Sequence, residues 1–137
     1  MAQRTVFSLS GSDVHSFLQG LVTNDVNKLQ DGLVYAALLT PQGKYRADFF
    51  MVPRGDTVLI DVDTQLVPGL LQALSMYKLR SDVNIEETAI DVTRGLGAAP
   101  EAAFADPRHP SLGWRGYDGQ AGEDVDWNAL RVEAGVP

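Results

Sequence analysis

The fold is decided by the stretch Leu38-Leu39-Thr40-Pro41-Gln42-Gly43-Lys44-Tyr45-Arg46-Ala47-Asp48-Phe49-Phe50-Met51. An apolar run and a mixed run flank Pro41-Gln42-Gly43, and a short loop with an early proline and a late glycine predicts a hairpin turn. Because successive strand side chains point to opposite sides, the second run has two faces. One face is mostly charged and carries Lys44, Arg46, Asp48 and Phe50. The other is predicted to face the core and carries Tyr45, Ala47, Phe49 and Met51.

Length and composition narrow the class of protein. A chain of 137 residues is long enough for an ordinary core, because a domain of this size buries about 68% of its unfolded surface. The absence of cysteine excludes disulfides and thiolate metal sites within these residues. A net charge of -7 disfavours direct binding to nucleic acid. No signal-peptide core or membrane-spanning run is visible, so we expect a cytoplasmic protein without membrane contacts.

Strand and helix patterns elsewhere predict an α+β fold, with a mostly antiparallel sheet covered by two main helices. Short runs of alternating or β-branched residues predict further strands over 4–9, 57–63, 83–85 and 90–93. Ser12 is placed to cap a short first helix. A longer helix beginning within 64–68 carries a buried leucine stripe, which Tyr77 is predicted to continue.

The last third of the chain has a different composition. Residues 95–112 are rich in glycine, proline and small side chains, which predicts a surface loop. A short helix is predicted over 126–133. We expect one domain over 1–137. His15 and His109 have no third ligand at a suitable spacing, so no metal site is predicted.

Four stretches resemble, in their order and spacing, the folate-binding YgfZ family and its relative, the glycine-cleavage T-protein. They are 17–26, 38–51, 77–83, and Asp106-Pro107-Arg108 with Leu112-Gly113-Trp114-Arg115. Residues 131–137 are similar to the segment that precedes the second half of the family's proteins. The family's Lys-Gly-Cys-Tyr-x-Gly-Gln run is absent from this sequence. The resemblance therefore implies the N-terminal part of a folate-binding domain, with the remaining half of the same protein as a partner.

The resemblance also implies a function. It favours a tetrahydrofolate-binding accessory protein that supports iron-sulfur cluster assembly or repair, with iron-sulfur client or assembly proteins as partners. T-protein enzymes look as if they carry two adjacent acids where this sequence has Ala47-Asp48. The missing second acid favours the accessory protein over aminomethyl transfer. A tetrahydrofolate-dependent aminomethyltransferase is the alternative, and no catalytic residue is assigned.

Asp48 is the residue implied to hold the pterin, because a carboxylate accepts a pair of adjacent ring N–H donors. Arg46, on the same predicted face, would hold Asp48 in place or meet the carboxylates of the folate tail. A solvated strand face with a surface ion pair is the alternative for these two charges. Asn24 and Asp25, at the exit of the first helix, would line the same cavity, although a helix-ending polar turn explains them equally well.

Overall fold

The computed structural model describes residues 3–39, 42 and 44–136. They belong to two compact units, residues 1–89 and residues 90–137. The α+β class expected from the sequence is confirmed, with antiparallel strand pairs in both units. The expectation of one domain over 1–137 stays a prediction.

The first unit is a five-stranded antiparallel sheet with two α-helices. Its elements are β1 (Arg4–Ser10), α1 (Val14–Gln19), β2 (Val34–Leu39), β3 (Tyr45–Arg54), β4 (Thr57–Asp63), α2 (Val67–Tyr77) and β5 (Asn84–Glu87). Short 3-10 turns cover Val26–Gln30 and Thr64–Leu66. The strand order is β2-β3-β4-β1-β5, so the predicted hairpin forms one edge of the sheet and β1 is inserted beside β4. Within the predicted turn, only Gln42 is among the described residues.

One face of this sheet and the two helices form the core of the first unit. Phe49 and Met51 of β3 belong to the same buried cluster as Leu18 of α1 and Leu70 of α2. This follows from the alternation of β3, whose apolar positions face the helices. The prediction that Tyr77 continues the buried stripe is wrong. Tyr77 is 37% exposed, because the buried stripe of α2 ends at Leu74, before the helix itself ends.

The start of α1 is fixed by contacts with a distant segment rather than by its own cap. Ser12 was predicted as the N-cap, but its hydroxyl donates to Asp82 Oδ2 at 2.8 Å and Asp13 takes the cap position. The Asp82 amide in turn donates to Asp13 Oδ2 at 2.7 Å. Gly11 allows this approach, since a Cβ there would lie 2.1 Å from the Asp82 carbonyl oxygen and its φ is +123°.

The second unit holds a small three-stranded antiparallel sheet and one α-helix. Its elements are β6 (Thr93–Gly95), β7 (Phe104–Ala105), β8 (Trp114–Gly116) and α3 (Trp127–Glu133), with a 3-10 turn over Pro110–Leu112. Within 95–112, where the sequence predicts a loop, the chain therefore forms β7 and this turn. The strand predicted over 90–93 forms over Thr93–Gly95 instead, because these residues pair with β8, with Thr93 opposite Gly116.

A buried carboxylate orders the second unit. Asp106 accepts from Arg108 Nη2 at 2.8 Å and lies 3.8 Å from Arg94 Nη2. The Arg94 guanidinium stacks 4.1 Å from the ring centre of Trp127 in α3. The Asp-Pro-Arg run singled out in the sequence thus has a structural role that joins β6 and α3. No helix among the described residues has both the length and the apolar character to cross a membrane.

Candidate functional site

Asp48 lies half-buried on the face of β3 that points away from the helices. The hydroxyl of Tyr35 donates to its Oδ2 and the hydroxyl of Tyr45 donates to its Oδ1. Each carboxylate oxygen has two acceptor lone pairs, so one hydrogen bond apiece leaves further capacity. The carboxylate thus accepts from two donors side by side, which is also the arrangement in which it would accept two adjacent N–H groups of a ligand.

A β-bulge places Tyr45 beside Asp48, contrary to the sequence prediction that Tyr45 faces the core. Leu38 pairs with Ala47, but the next residue, Leu39, pairs with Tyr45. Arg46 is therefore the extra residue, and the alternation reverses across it. Ala47 stays on the core face while Tyr45 moves to the Asp48 face and becomes 57% exposed. The bulge carries no sequence signal that strand alternation alone could detect.

Tyr35 reaches Asp48 from the neighbouring strand. Ala37 is the direct partner of Asp48 in the β2–β3 register, so Tyr35, two residues away on the same face, is its diagonal neighbour. The Tyr35 ring also packs against Phe50, with ring centroids 5.2 Å apart. Sequence reasoning missed Tyr35, because the bulge at Arg46 sets the register that pairs Ala37 with Asp48 and so brings Tyr35 onto the Asp48 face.

A buried ion pair lies further along the same sheet face. Phe50 pairs in register with Asp61 of β4, whose side chain is completely buried. Arg4 Nε donates to Asp61 Oδ1 at 2.7 Å, and Arg4 Nη2 donates to the Asp61 carbonyl at 2.8 Å. The same guanidinium lies 5.9 Å from the centre of the Phe50 ring. It thus places a fixed positive charge on the side of the sheet that carries Asp48.

Electrostatics keep Asp48 ionised and Tyr45 protonated at neutral pH. Burial acts to raise the pKa of Asp48, but hydrogen bonds from Tyr35 and Tyr45 and the charge of Arg4 oppose it, and the net pKa lies below the usual 3.8. Burial, followed by the hydrogen bond to Asp48, raises the pKa of Tyr45 to about 12. The pair is therefore an anionic acceptor with a neutral donor.

The Tyr45 contact should stabilise the fold in a pH-dependent way. The folded pKa of about 12 exceeds the ordinary value of 10.0, so this contribution is complete below pH 10 and is lost as the pH rises to about 12. We expect Tyr45→Phe to lower the free energy of unfolding by less than about 1 kcal/mol, since the side chain is largely exposed. Denaturant titrations of both proteins should show a difference that disappears across this window. A difference that does not change with pH would contradict the expectation.

The other predicted site residues are placed differently. Arg46 is exposed, and its Nη2 donates to the Gly69 carbonyl of α2 at 3.3 Å. The proposed role of holding Asp48 is filled by the two tyrosines instead. Asp25 accepts from the Asn27 amide at 2.9 Å and so caps the following 3-10 turn. Both residues stay predictions as ligand contacts, since neither arrangement tests that role.

Asn24 supports the site from behind β2. Its Nδ2 donates to the Tyr35 carbonyl at 2.9 Å, and its Oδ1 accepts from the Asp25 amide at 2.8 Å. Thr23 exchanges two bonds with Ala37, one through its amide and one through its hydroxyl, each 3.0 Å long. The turn after α1, residues 22–24, therefore lies along the outer edge of β2 and fixes the strand segment that presents Tyr35.

A separate cleft of about 180 Å³ lies where α1 and the 3-10 turn meet the β3–β4 turn. Its lining includes His15, Leu29, Pro53 and Thr57 and does not include Asp48. Within the described part of the chain, no group of three or more His, Asp or Glu side chains could hold a metal ion.

Comparison with known proteins identifies relatives of the chain. No family model matches it. The mitochondrial iron-sulfur cluster assembly factor IBA57 homolog of Mycosarcoma maydis is 32% identical over 139 residues, covering 82% of this chain and 34% of that protein. The chain is a relative of the IBA57 proteins. The IBA57 homolog of Pyricularia oryzae is 31% identical over 134 residues, covering 84% of this chain and 34% of that protein. Mouse IBA57 is 25% identical over 175 residues, covering 98% of this chain and 49% of that protein.

A solved structure supports the same relationship at the level of the fold. The aminomethyltransferase T of the glycine cleavage system from Bartonella henselae superposes with a TM-score of 0.59 and 11% identity, over 65% of this chain and 25% of that chain. The expected likeness to YgfZ-related and T-protein-like chains is thus confirmed in its broad form, with mitochondrial IBA57 proteins as the relatives found. The expectation of a cytoplasmic protein is wrong, because these relatives are mitochondrial. The chain spans about a third of the length of its fungal relatives.

Proposed function

We propose that the protein supports iron-sulfur cluster assembly and does so as a tetrahydrofolate-binding accessory protein. The observation that carries the proposal is the match to IBA57 cluster assembly factors, which runs over 82% of this chain. Its partners are then iron-sulfur client or assembly proteins, together with the folate. The match covers about a third of that relative.

The geometry around Asp48 supports the folate half of the proposal. The carboxylate is ionised, half-buried and accepts from two hydroxyls at once. The edge of a reduced pterin presents adjacent N–H donors, which such a carboxylate accepts in a charge-assisted pair. Arg46 is exposed and donates one N–H to the Gly69 carbonyl of α2. Because a guanidinium has five N–H donors, others remain for the carboxylates of a folate tail. Asp48 and Arg46 therefore fit the chemistry of tetrahydrofolate.

Aminomethyl transfer is the second candidate, since the fold neighbour is an aminomethyltransferase. The position that would hold a second acid is Ala47, whose side chain is 0% exposed and belongs to the core of the first unit. A carboxylate there would be buried among apolar groups at a cost of several kcal/mol. The local packing therefore favours a protein that binds folate through a single acid over one that uses an acid pair.

The proposal is tested in cells depleted of their own IBA57, which express either the wild-type protein or an Asp48→Asn variant. We expect the wild type to restore the activity of iron-sulfur enzymes and Asp48→Asn to fail at equal protein level. Asp56→Asn is the matched control, because Asp56 is an exposed acid in the turn at the far end of β3 and should restore activity fully.

The two halves of the proposal fail separately in this experiment. A wild-type protein that restores no iron-sulfur enzyme would reject the assembly role. If Asp48→Asn restored activity as well as the wild type did, cluster assembly would not depend on the proposed folate site.

A further inference from the structure

The two tyrosines that hold Asp48 differ in how firmly the fold holds them. Tyr35 lies within β2, its ring packs on Phe50 at 5.2 Å, and its carbonyl is bonded by Asn24. Tyr45 begins β3, directly beside the bulge at Arg46, and its side chain is 57% exposed. Rotation of Tyr45 into solvent would break one hydrogen bond and expose little apolar surface. Rotation of Tyr35 would also break its packing with Phe50.

We propose that Tyr45 is a displaceable gate on Asp48, which occupies the place of one ligand N–H donor and swings into solvent when the ligand binds. Tyr35 remains bonded to the other oxygen throughout and holds the carboxylate in position. The inference rests on the proposed folate site and adds to it the regulation of that site by a residue of the same strand.

The energetics of the exchange are consistent with a gate. A released Tyr45 hydroxyl regains hydrogen bonds to water, so the protein loses little when the contact opens. The incoming pair of N–H donors replaces one neutral hydroxyl with a two-point contact on the same anion. When no ligand is present, the exposed Tyr45 hydroxyl keeps Oδ1 of Asp48 hydrogen-bonded, while Tyr35 donates to Oδ2. Binding therefore requires no new buried charge, only the replacement of one donor by two.

The test measures tetrahydrofolate affinity in four versions of the purified protein: wild type, Tyr45→Phe, Tyr35→Phe and Asp48→Asn. Tyr45→Phe keeps the ring but removes the competing donor, so we expect binding about three- to tenfold tighter than in the wild type. Tyr35→Phe removes the donor that orients the carboxylate, and we expect it to weaken binding. Circular dichroism verifies that each variant is folded.

A second readout follows the tyrosine rings directly. In NMR spectra of protein with isotope-labelled tyrosine, the Tyr45 ring signal should move toward that of a solvated tyrosine when tetrahydrofolate is added. The Tyr35 signal should keep its hydrogen-bonded position. A purely structural role for Tyr45 would leave its signal unchanged by the ligand.

The outcomes separate the gate from the site. If Asp48→Asn binds as well as the wild type, or the wild type binds no folate, the proposed site itself fails and the gate fails with it. If Asp48→Asn loses binding while Tyr45→Phe binds equally or more weakly than the wild type, the gate is overturned and the site stands. Tighter binding by Tyr45→Phe together with the shifted Tyr45 signal supports the gate.

Discussion

We expect the replacement of Asp48 with asparagine to lower the affinity of the purified protein for tetrahydrofolate about ten- to hundredfold, which corresponds to the 1.5–3 kcal/mol typical of a hydrogen bond to a charged group. The amide has nearly the same shape as the carboxylate but carries no charge. It also directs an NH2 group at one of the ligand's own donors, so one of the two bonds becomes a repulsion between donors. The expected loss of tetrahydrofolate affinity is therefore larger than the loss expected from the change of charge alone.

Isothermal titration of tetrahydrofolate into wild type and Asp48→Asn measures this effect. Asp56→Asn serves as the control for the loss of one negative charge, because it changes the net charge equally at an exposed position outside the site. If Asp48→Asn and Asp56→Asn bound tetrahydrofolate with the same affinity, Asp48 would have no part in the site.

We expect the replacement of Asp61 with leucine to destabilise the first unit by about 3–5 kcal/mol, the range found when one partner of a buried ion pair is removed. Asp61 is 0% exposed and its carboxylate and carbonyl both accept from Arg4. Without the carboxylate, the guanidinium keeps its charge in a half-buried position on the sheet. The partial exposure of Arg4 places the expected loss toward the lower end of this range.

The double variant Arg4→Met with Asp61→Leu isolates the contribution of the unpaired charge. Because both charges are then gone, its loss of unfolding free energy should be at least about 1 kcal/mol smaller than that of Asp61→Leu alone. Both tryptophans, Trp114 and Trp127, lie in the second unit, so far-UV circular dichroism is the suitable probe for the sheet. A double variant less stable than the single one would show that Arg4 stabilises the sheet through packing rather than through its charge.

The β2–β3 hairpin and the strand after it were predictable because their signals are local. The alternation around Phe49 and the glycine at position 55 specify strands and turns through the backbone and its nearest neighbours. The α+β class followed from those elements. The strands predicted over 83–85 and 90–93 were displaced, because short strands take their bounds from partners distant in sequence, β1 for the first and β8 for the second.

The candidate site was predicted only in part. Asp48 was predicted through the family resemblance, and its role as a ligand contact stays a prediction; in the structure it is half-buried and accepts from two tyrosine hydroxyls. Its two donors were missed for different reasons. Tyr35 depends on strand register, which alternation does not specify, and Tyr45 depends on a bulge that inverts the pattern used to predict it.

The turn over residues 22–24 has one more effect, on how the protein behaves at high concentration. Bare sheet edges recruit strands from other molecules and so start aggregation. Here one border is covered by Thr23 and Asn24 along β2, and the opposite border is the four-residue β5, which carries Glu86 and Glu87. The covered β2 edge offers no free strand to a second molecule, and the carboxylates of β5 would repel those of another copy. Both features should disfavour edge-to-edge pairing between molecules. We therefore expect Thr23 and Asn24, which fix the strand segment that presents Tyr35, to reduce aggregation as well.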